Sequence, residues 1–364
     1  MPKIAVIIVS FNHGKFLPDC FKYLVKANYP RDLWKIFLVD NGSDDALEIA
    51  RNKLIDEKLG KTRDGQIKAE IIKPKINTGF TGGNNIAIER AMKEGYEFVY
   101  LLNPDTEVEK DFLLQAVATI ESDPKIGAVQ SLMLLAQNLE KINSWGNEVH
   151  FLGFSFAGGY QVDRESSYAD EMIKLRDIPS ASGAAVMFKT SALKVVGLFD
   201  NAIFAYHEDV DISLRLRLAG FRVVLAPESV IRHRYEFSRS IKKFYFMERN
   251  RFWVVFKTLR LPTLILLLPA WIAMELGLWF FAFVKGWWRE KARACAYYFS
   301  FSILKTLLAE RRKTQKLRVI SDRKLVSTFA SKILYQEIAH PLWEYFGNYL
   351  FAFYWFVVKH LIWW

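Results

Sequence analysis

The feature that most constrains this chain is where its apolar runs stop. Residues 4–9, Ile-Ala-Val-Ile-Ile-Val, form the short unbroken apolar run of a strand buried on both faces. They give way at once to Ser10-Phe11-Asn12-His13-Gly14. Residues 34–39 repeat the pattern and end in Asp40-Asn41-Gly42-Ser43-Asp44-Asp45, and residues 98–102 end in Asn103-Pro104-Asp105. Residues 70–73 read as a further short strand. Helical patterns lie between: 17–27, with Leu17, Phe21, Leu24 and Val25 on one face, then 46–58, then 86–93, which stops at Gly95. Such alternation predicts an α/β fold with a mixed, mostly parallel sheet flanked by helices. Ligands in such sheets bind beyond the carboxyl ends of the strands. The polar strand ends are therefore the expected site.

The pattern continues with a helix over 112–122 and strands over 128–135, 181–189 and 222–226. Residues 145–160 read as irregular and Gly-punctuated. A strong helix is expected over 209–219, where Val210, Leu214 and Leu218 share a face and Gly220 can cap the end. Residues 77–85, Asn-Thr-Gly-Phe-Thr-Gly-Gly-Asn-Asn, read as a polar loop opening the helix at 86. Its glycines permit close backbone approach to a ligand, and a helix N-terminus favours anions. Singly, Asp-Asn-Gly is a turn and Asn-Pro-Asp is a turn with a helix cap. Their joint placement at neighbouring strand ends is what points to a site.

Charge divides the chain. Residues 1–230 carry 27 Lys+Arg against 31 Asp+Glu, whereas 231–364 carry 23 against 8, so the net charge of +11 is all C-terminal. Eight of the eleven tryptophans lie beyond residue 260. Cations beside Trp-rich apolar runs suit a membrane interface with anionic lipids. Apolar runs among those charges argue against nucleic acid as the partner. The only cysteines, Cys20 and Cys295, exclude a disulfide scaffold and fit a reducing compartment. The apolar run at 4–9 is too short for a secretory signal. Residues 263–284 contain one charge, Glu275, and as a helix would reach roughly 33 Å, enough to cross a bilayer. Pro269 and Glu275 are expected to interrupt it. Basic residues dominate on both sides, 9 against 2 acidic over 231–260 and 12 against 3 over 285–324. The positive-inside rule therefore favours a hairpin, re-entrant or in-plane arrangement over a single crossing. Residues 349–358 are too few to span and read as interfacial. The expected organisation is an α/β domain over 1–260 and a helical, Trp-rich, membrane-associated region over 261–364.

The ordered set of 7–12, 39–45, 77–85, Leu102-Asn103-Pro104-Asp105, His207-Glu208-Asp209-Val210-Asp211 with Leu214-Arg215, and Ala219-Gly220-Phe221 resembles family 2 glycosyltransferases of the GT-A fold. Within them it is most similar to the bacterial rhamnosyltransferase-like branch, which acts on cell-surface polysaccharides. The resemblance spans about residues 3–260. It implies an inverting transfer of a sugar, rhamnose in that branch, from a nucleotide-diphospho-sugar donor to a lipid-linked or cell-surface saccharide. The setting it implies is the cytoplasmic face of a bacterial-type inner membrane.

The resemblance also implies roles. Asp40 would hydrogen-bond the nucleotide base, with Ser10 and Asn12 lining that pocket. Gly79, Phe80, Asn84 and Asn103 would flank the nucleotide-sugar. Asp105 corresponds to the last Asp of the family's Asp-x-Asp motif and would hold Mg²⁺ or Mn²⁺ on the diphosphate, neutralising the leaving group. Asn103 replaces the first Asp, leaving one anionic ligand in the motif. His233 would complete the metal site, since imidazole is a good Mn²⁺ ligand. Asp209 matches the general base, with Glu208 and Asp211 as rivals; a helix N-terminus is expected to keep Asp209 ionised. The plainer alternative is that Asp209 only caps its helix. Arg232, Arg234, Arg239, Lys242 and Lys243 would face the diphosphate or lipid phosphates. Glu248-Arg249-Asn250-Arg251 carries the family's Arg-Asn pair, to which sequence alone assigns no chemical role. Two other readings are a processive polysaccharide synthase and a catalytically inactive nucleotide-binding scaffold on the membrane. The synthases' Gln-x-x-Arg-Trp segment does not occur here, and the retained Asp40, Asp105 and Asp209 argue against the scaffold.

Overall fold

The structure is a computed structural model that describes residues 1–43, 68–235, 241–334 and 346–364, with the side chains of residues 241 and 242 outside the description. The helix expected over 46–58, Asp44, Asp45, Arg239 and the side chain of Lys242 fall outside the described residues.

The strands are β1 (Ile4–Ser10), β2 (Trp34–Asp40), β3 (Lys68–Ile72), β4 (Phe98–Leu102), β5 (Thr106–Val108), β6 (Ile126–Leu135), β7 (Asn138–Ser144), β8 (Asn147–Val149), β9 (Ser155–Ala157), β10 (Ala185–Lys189) and β11 (Arg222–His233). Among the described residues, nine of them form one sheet in the order β3-β2-β1-β4-β10-β6-β11-β5, with β7 added beside β6. β3, β2, β1 and β4 run parallel, β10 runs against β4 and β6, and β11 is parallel to β6. This is the mixed, mostly parallel sheet that the alternation predicts.

The helices are α1 (Leu17–Leu24), α2 (Gly79–Lys93), α3 (Phe112–Glu121), α4 (Ser167–Met172), α5 (Thr190–Val196), α6 (Glu208–Leu218), α7 (Ile241–Thr258), α8 (Leu261–Val284), α9 (Trp288–Ala296), α10 (Phe301–Lys316), α11 (Asp322–Val326) and α12 (Asn348–Leu361). The unbroken apolar run of β1 is needed because successive side chains enter two cores. Ile4, Val6 and Ile8 pack with α1 and α3 on one face, and Ala5 and Ile7 pack with α2, α5 and α6 on the other. A third core joins the outer face of α6 (Val210, Leu214, Leu218) to Trp253 of α7, to α8 and to α12. Trp355 of α12 stacks on Phe151 with ring centroids 4.7 Å apart.

Several sequence expectations are corrected. The glycine-rich stretch is helical from Gly79 rather than from residue 86. Its glycines serve packing: a Cβ on Gly83 would meet Val9 at 2.8 Å, and one on Gly79, at φ +73°, would meet the Phe204 carbonyl oxygen at 2.4 Å. The strand at 222–226 continues through a register shift between Ala226 and Val230 as far as His233. The stretch at 145–160 contains the β8–β9 hairpin. The strand expected from residue 181 starts at Ala185. Neither Pro269 nor Glu275 interrupts α8, which runs 24 residues. Glu275 is tolerated because Arg251 and Lys291 both pair with it, the Lys291 contact at 2.6 Å.

Buried charge ties α7 to α6. The Lys257 ammonium, 1% exposed, lies 2.7 Å from Asp200 and 2.6 Å from Asp211, which also pairs with Arg215 at 2.9 Å. Removing one member of such a group leaves buried charge uncompensated. Lys257→Met should therefore cost about 3–5 kcal/mol of stability, read as a lowered urea midpoint.

Candidate active site

Register builds the site. β1 and β2 pair so that Ser10 lies beside Asp40, at the carboxyl ends of both strands. Both are buried, and among the described residues the Ser10 hydroxyl has no hydrogen-bond partner. Asp40 turns the chain by accepting from the Ser43 amide at 3.2 Å, and the Ser43 hydroxyl accepts from the amide of exposed Asn12 at 3.1 Å. Asn12 has φ +56°. Asn41 secures the start of α2. Its side-chain oxygen accepts from the Thr78 amide at 3.0 Å and hydroxyl at 2.9 Å, and its NH₂ donates to the Gly79 carbonyl at 2.8 Å. Asn84 is buried and donates back to the Phe80 carbonyl at 2.8 Å, so its amide supports the first turn of α2. Sequence reasoning missed Asn41; a side chain between Asp40 and Gly42 reads simply as a turn residue.

The second cluster forms where β11 meets β5. Their antiparallel register sets His233 opposite Thr106, next to Asp105. The His233 Nε2 is 3.4 Å from Asp105 Oδ1, a buried oxygen with no hydrogen-bond partner. The Nδ1 of His233 is 2.9 Å from the Asn143 side-chain oxygen. That oxygen accepts, so Nδ1 carries a proton and Nε2 is the ring nitrogen that faces Asp105. A divalent cation fits this pair: an orphaned carboxylate oxygen, an imidazole nitrogen, and the second-sphere hydrogen bond that fixes the ring. Burial opposes ionisation of Asp105, but the adjoining His233 outweighs it and holds the carboxyl below its ordinary value. Among the described residues no third His, Cys, Asp or Glu joins them. Arg232 pairs with Glu109, and Arg234 with Glu107 and Asp19, each at 2.7 Å for the latter two. Those two cations are engaged within the fold. Lys243 lies 5.9 Å from the Tyr206 ring.

The third cluster is the start of α6. Asp209 is half-buried and accepts from the Val210 amide at 2.8 Å, from Asn147 of β8 at 2.9 Å and from the Gly183 amide. Burial nevertheless raises its pKa to about 6. The helix N-terminus does not keep it strongly acidic, as sequence alone suggested; desolvation wins. Glu208 is buried, and burial together with the charges of Asp209 and Asp211 pushes its pKa well up. Asp211 is fully buried in its ion pairs with Arg215 and Lys257. Of the three carboxyls, Asp209 alone is both accessible and ionised near neutrality.

The clusters adjoin. Gly183 bonds to Asp209, and the next residue, Ala184, accepts from the Asn103 amide at 2.9 Å. The Phe80 ring leaves a Cβ on Gly183 only 3.0 Å of room. The Phe204 carbonyl, from the segment before Asp209, accepts from the Thr81 amide at 3.2 Å. The Ser10–Asp40 pair, the start of α2, the Asp105–His233 pair and Asp209 thus lie along one edge of the sheet.

Similarity to known proteins runs along most of this chain. The profile of "Glycosyltransferase like family 2" matches residues 2–255. Rhamnosyltransferase WbbL of Escherichia coli (strain K12) is 25% identical over 236 residues, covering 62% of this chain and 80% of that protein. A poly-beta-1,6-N-acetyl-D-glucosamine synthase of Staphylococcus epidermidis is 23% identical over 227 residues, and the chain spans about half of it, 48%. The mannosyltransferase PcManGT from Pyrobaculum calidifontis, solved with GDP-Man and Mn²⁺, superposes with a TM-score of 0.52 at 15% identity, covering 99% of this chain and 87% of that one. GalNAc-T7, solved with UDP, GalNAc and Mn²⁺, gives 0.54 at 16% identity over 70% of this chain and 48% of that one. The extent of the family match and the shared sheet leave one conclusion: the chain belongs to glycosyltransferase family 2 and is a glycosyltransferase of the GT-A fold, a catalyst of sugar transfer from nucleotide-sugars.

Proposed function

We propose that this protein is an inverting, divalent-metal-dependent glycosyltransferase that moves rhamnose from a nucleotide-diphospho-sugar to a lipid-linked saccharide at the cytoplasmic face of a membrane. The single observation that carries the reading is the meeting of Asp209, the Asp105–His233 pair and the Ser10–Asp40 pocket on one sheet edge. The similarity to the rhamnosyltransferase, which covers most of that protein, supports the choice of sugar.

In this reading Asp40 accepts from a ring N–H of the base, and Ser10 and Asn12 line the pocket. The first turn of α2, with Gly79, Phe80 and Asn84, and the Asn103 turn flank the diphospho-sugar. Asp105 and His233 hold Mg²⁺ or Mn²⁺, which when bound neutralises charge on the departing nucleoside diphosphate. Asp209 takes the proton from the acceptor hydroxyl as that oxygen bonds the anomeric carbon and the carbon–diphosphate bond breaks on the opposite face.

The catalytic unit ends near residue 260, and the helices beyond it dock on anionic lipid in the membrane plane. α8 is the one helix among the described residues long and apolar enough to cross a membrane, with mean hydropathy 2.0. Its exposed face carries Leu261, Ile265, Leu268, Ile272, Leu276 and Phe280 at helical spacing. The opposite face packs through Leu267, Ala270 and Met274 and is pinned by Glu275 to Arg251 and Lys291. α12 lies alongside, with the Trp364 indole donating to Thr263 at 2.9 Å. A helix attached along one side to the rest of the chain suits half-immersion better than crossing.

Four outcomes are expected. In a nucleotide-sugar panel with Mn²⁺, the wild type releases nucleoside diphosphate most rapidly from a rhamnose donor; preference for UDP-N-acetylglucosamine would favour the synthase-like alternative. Asp209→Asn lowers that rate by about 100-fold to 10,000-fold, and the wild-type rate falls about tenfold per pH unit below about 6, because the base must be unprotonated. Mn²⁺ affinity, followed by electron paramagnetic resonance with dTDP present, drops in Asp105→Asn and His233→Ala, and by about 10-fold to 100-fold in Asn143→Ala. The protein floats with phosphatidylglycerol vesicles but not with neutral ones in high salt, and Ile272→Glu with Phe280→Glu abolishes flotation.

A further inference from the structure

The residues just before Asp209 adopt an unfavourable backbone. Phe204, Tyr206 and His207 have φ of +66°, +66° and +69°. A side chain with a Cβ is crowded there, and three such residues within four positions do not persist without outside support. Within the segment itself the Ala205 amide donates to the Ile203 carbonyl at 2.8 Å, and the remaining carbonyls turn outward.

The carbonyls of Ala202, Ile203, Ala205 and Tyr206 turn to one place. The Asn250 NH₂ of α7 donates to the carbonyls of Ile203 at 3.0 Å, Ala205 at 2.8 Å and Tyr206 at 2.7 Å. Two hydrogens serve three acceptors, so one is shared. The Arg249 Nη2 donates to Ala202 at 3.0 Å and Ile203 at 2.6 Å. The Asn250 oxygen accepts from Arg249 Nε at 2.9 Å, which settles the orientation of the amide. Both side chains are buried, Asn250 to 1% exposure. The carbonyl between, that of Phe204, points the other way, to Thr81 at the start of α2. The segment is therefore stretched between α7 and the donor-side helix, and α6 begins where it ends.

We propose that Asn250, supported by Arg249, is a positioning residue: it holds residues 202–207 in their left-handed path and so sets where the Asp209 carboxylate meets the acceptor hydroxyl. The proposal rests on Asp209 as the base. Asn250 contacts neither the Ser10–Asp40 pocket nor Asp105 and His233, and among the described residues it reaches the start of α2 through the Phe204 carbonyl on Thr81, so its loss is expected to change donor binding less than catalysis. No sequence signal identifies this role, because residues 44 to 47 positions apart meet only in the folded chain.

The test compares the full-length wild type with Asn250→Ala and with Asn250→Asp, which keeps the shape and removes both donors. Three quantities are read: calorimetric dTDP affinity with Mn²⁺, steady-state constants on whichever panel donor the wild type consumes, and hydrogen exchange of peptides spanning 203–208. Expected are dTDP affinity and donor KM within twofold of wild type, kcat lower on the order of 100-fold, faster exchange over 203–208 with β1 and β4 unchanged, and an acid limb of kcat moved below about 6 as Asp209 gains solvent. A kcat within threefold of wild type, or unchanged exchange over 203–208, overturns the proposal. If the wild type consumes no donor, the proposed function fails and the exchange measurement decides the positioning role by itself. If Asn250→Asp does not fold, Arg249→Lys replaces it; that variant keeps the charge, loses the fork to Ala202 and Ile203, and should show the same split between kcat and KM.

Discussion

The site depends first on strand register. β1, β2 and β4 run parallel, so their carboxyl ends share one edge, and a shift of one residue would send every β1 side chain to the wrong core. Because Ile4, Val6 and Ile8 feed one core and Ala5 and Ile7 the other, burial locks the register strongly. Ser10 beside Asp40, and His233 beside the Asp105 turn, are consequences of that locking rather than of any attraction between those side chains.

A second constraint comes from charge buried on the far side of α6. Asp211 with Lys257 and Arg215, and Arg251 with Glu248, Glu275 and Lys291, bind α6, α7, α8 and α9 into one body. Buried ion pairs contribute little net stability compared with apolar packing, but they penalise wrong arrangements heavily. Their position between the exposed apolar face of α8 and the segment leading into Asp209 gives those two parts of the chain a rigid connection.

Electrostatics at Asp209 shows how competing effects are decided. Its place in the first turn of α6 and three donated hydrogen bonds favour the carboxylate, while burial beside Glu208 opposes it. Desolvation is the larger effect, and it leaves Asp209 near the strength useful for a base at neutral pH. Glu208, one residue earlier but more deeply buried, is pushed further up by the same effect.

The sheet, its polar strand ends and the family were legible in the sequence, because apolar runs, turns and short motifs are local patterns. Asp40, Asp105 and Asp209 could be singled out for the same reason. What escaped was everything set by distant chain segments meeting: the helical start at Gly79, which needs Phe204 and Val9 as neighbours; Asn41 as the anchor of that start; Asn143 as the partner that orients His233; and the continuity of α8 through Glu275. Sequence by itself determined the order of elements and the chemical types at the strand ends. Only the tertiary structure decided which carboxyl stays ionised, which arginines are already paired and what holds the backbone before Asp209, since burial and long-range hydrogen bonds exist only once the chain has closed on itself.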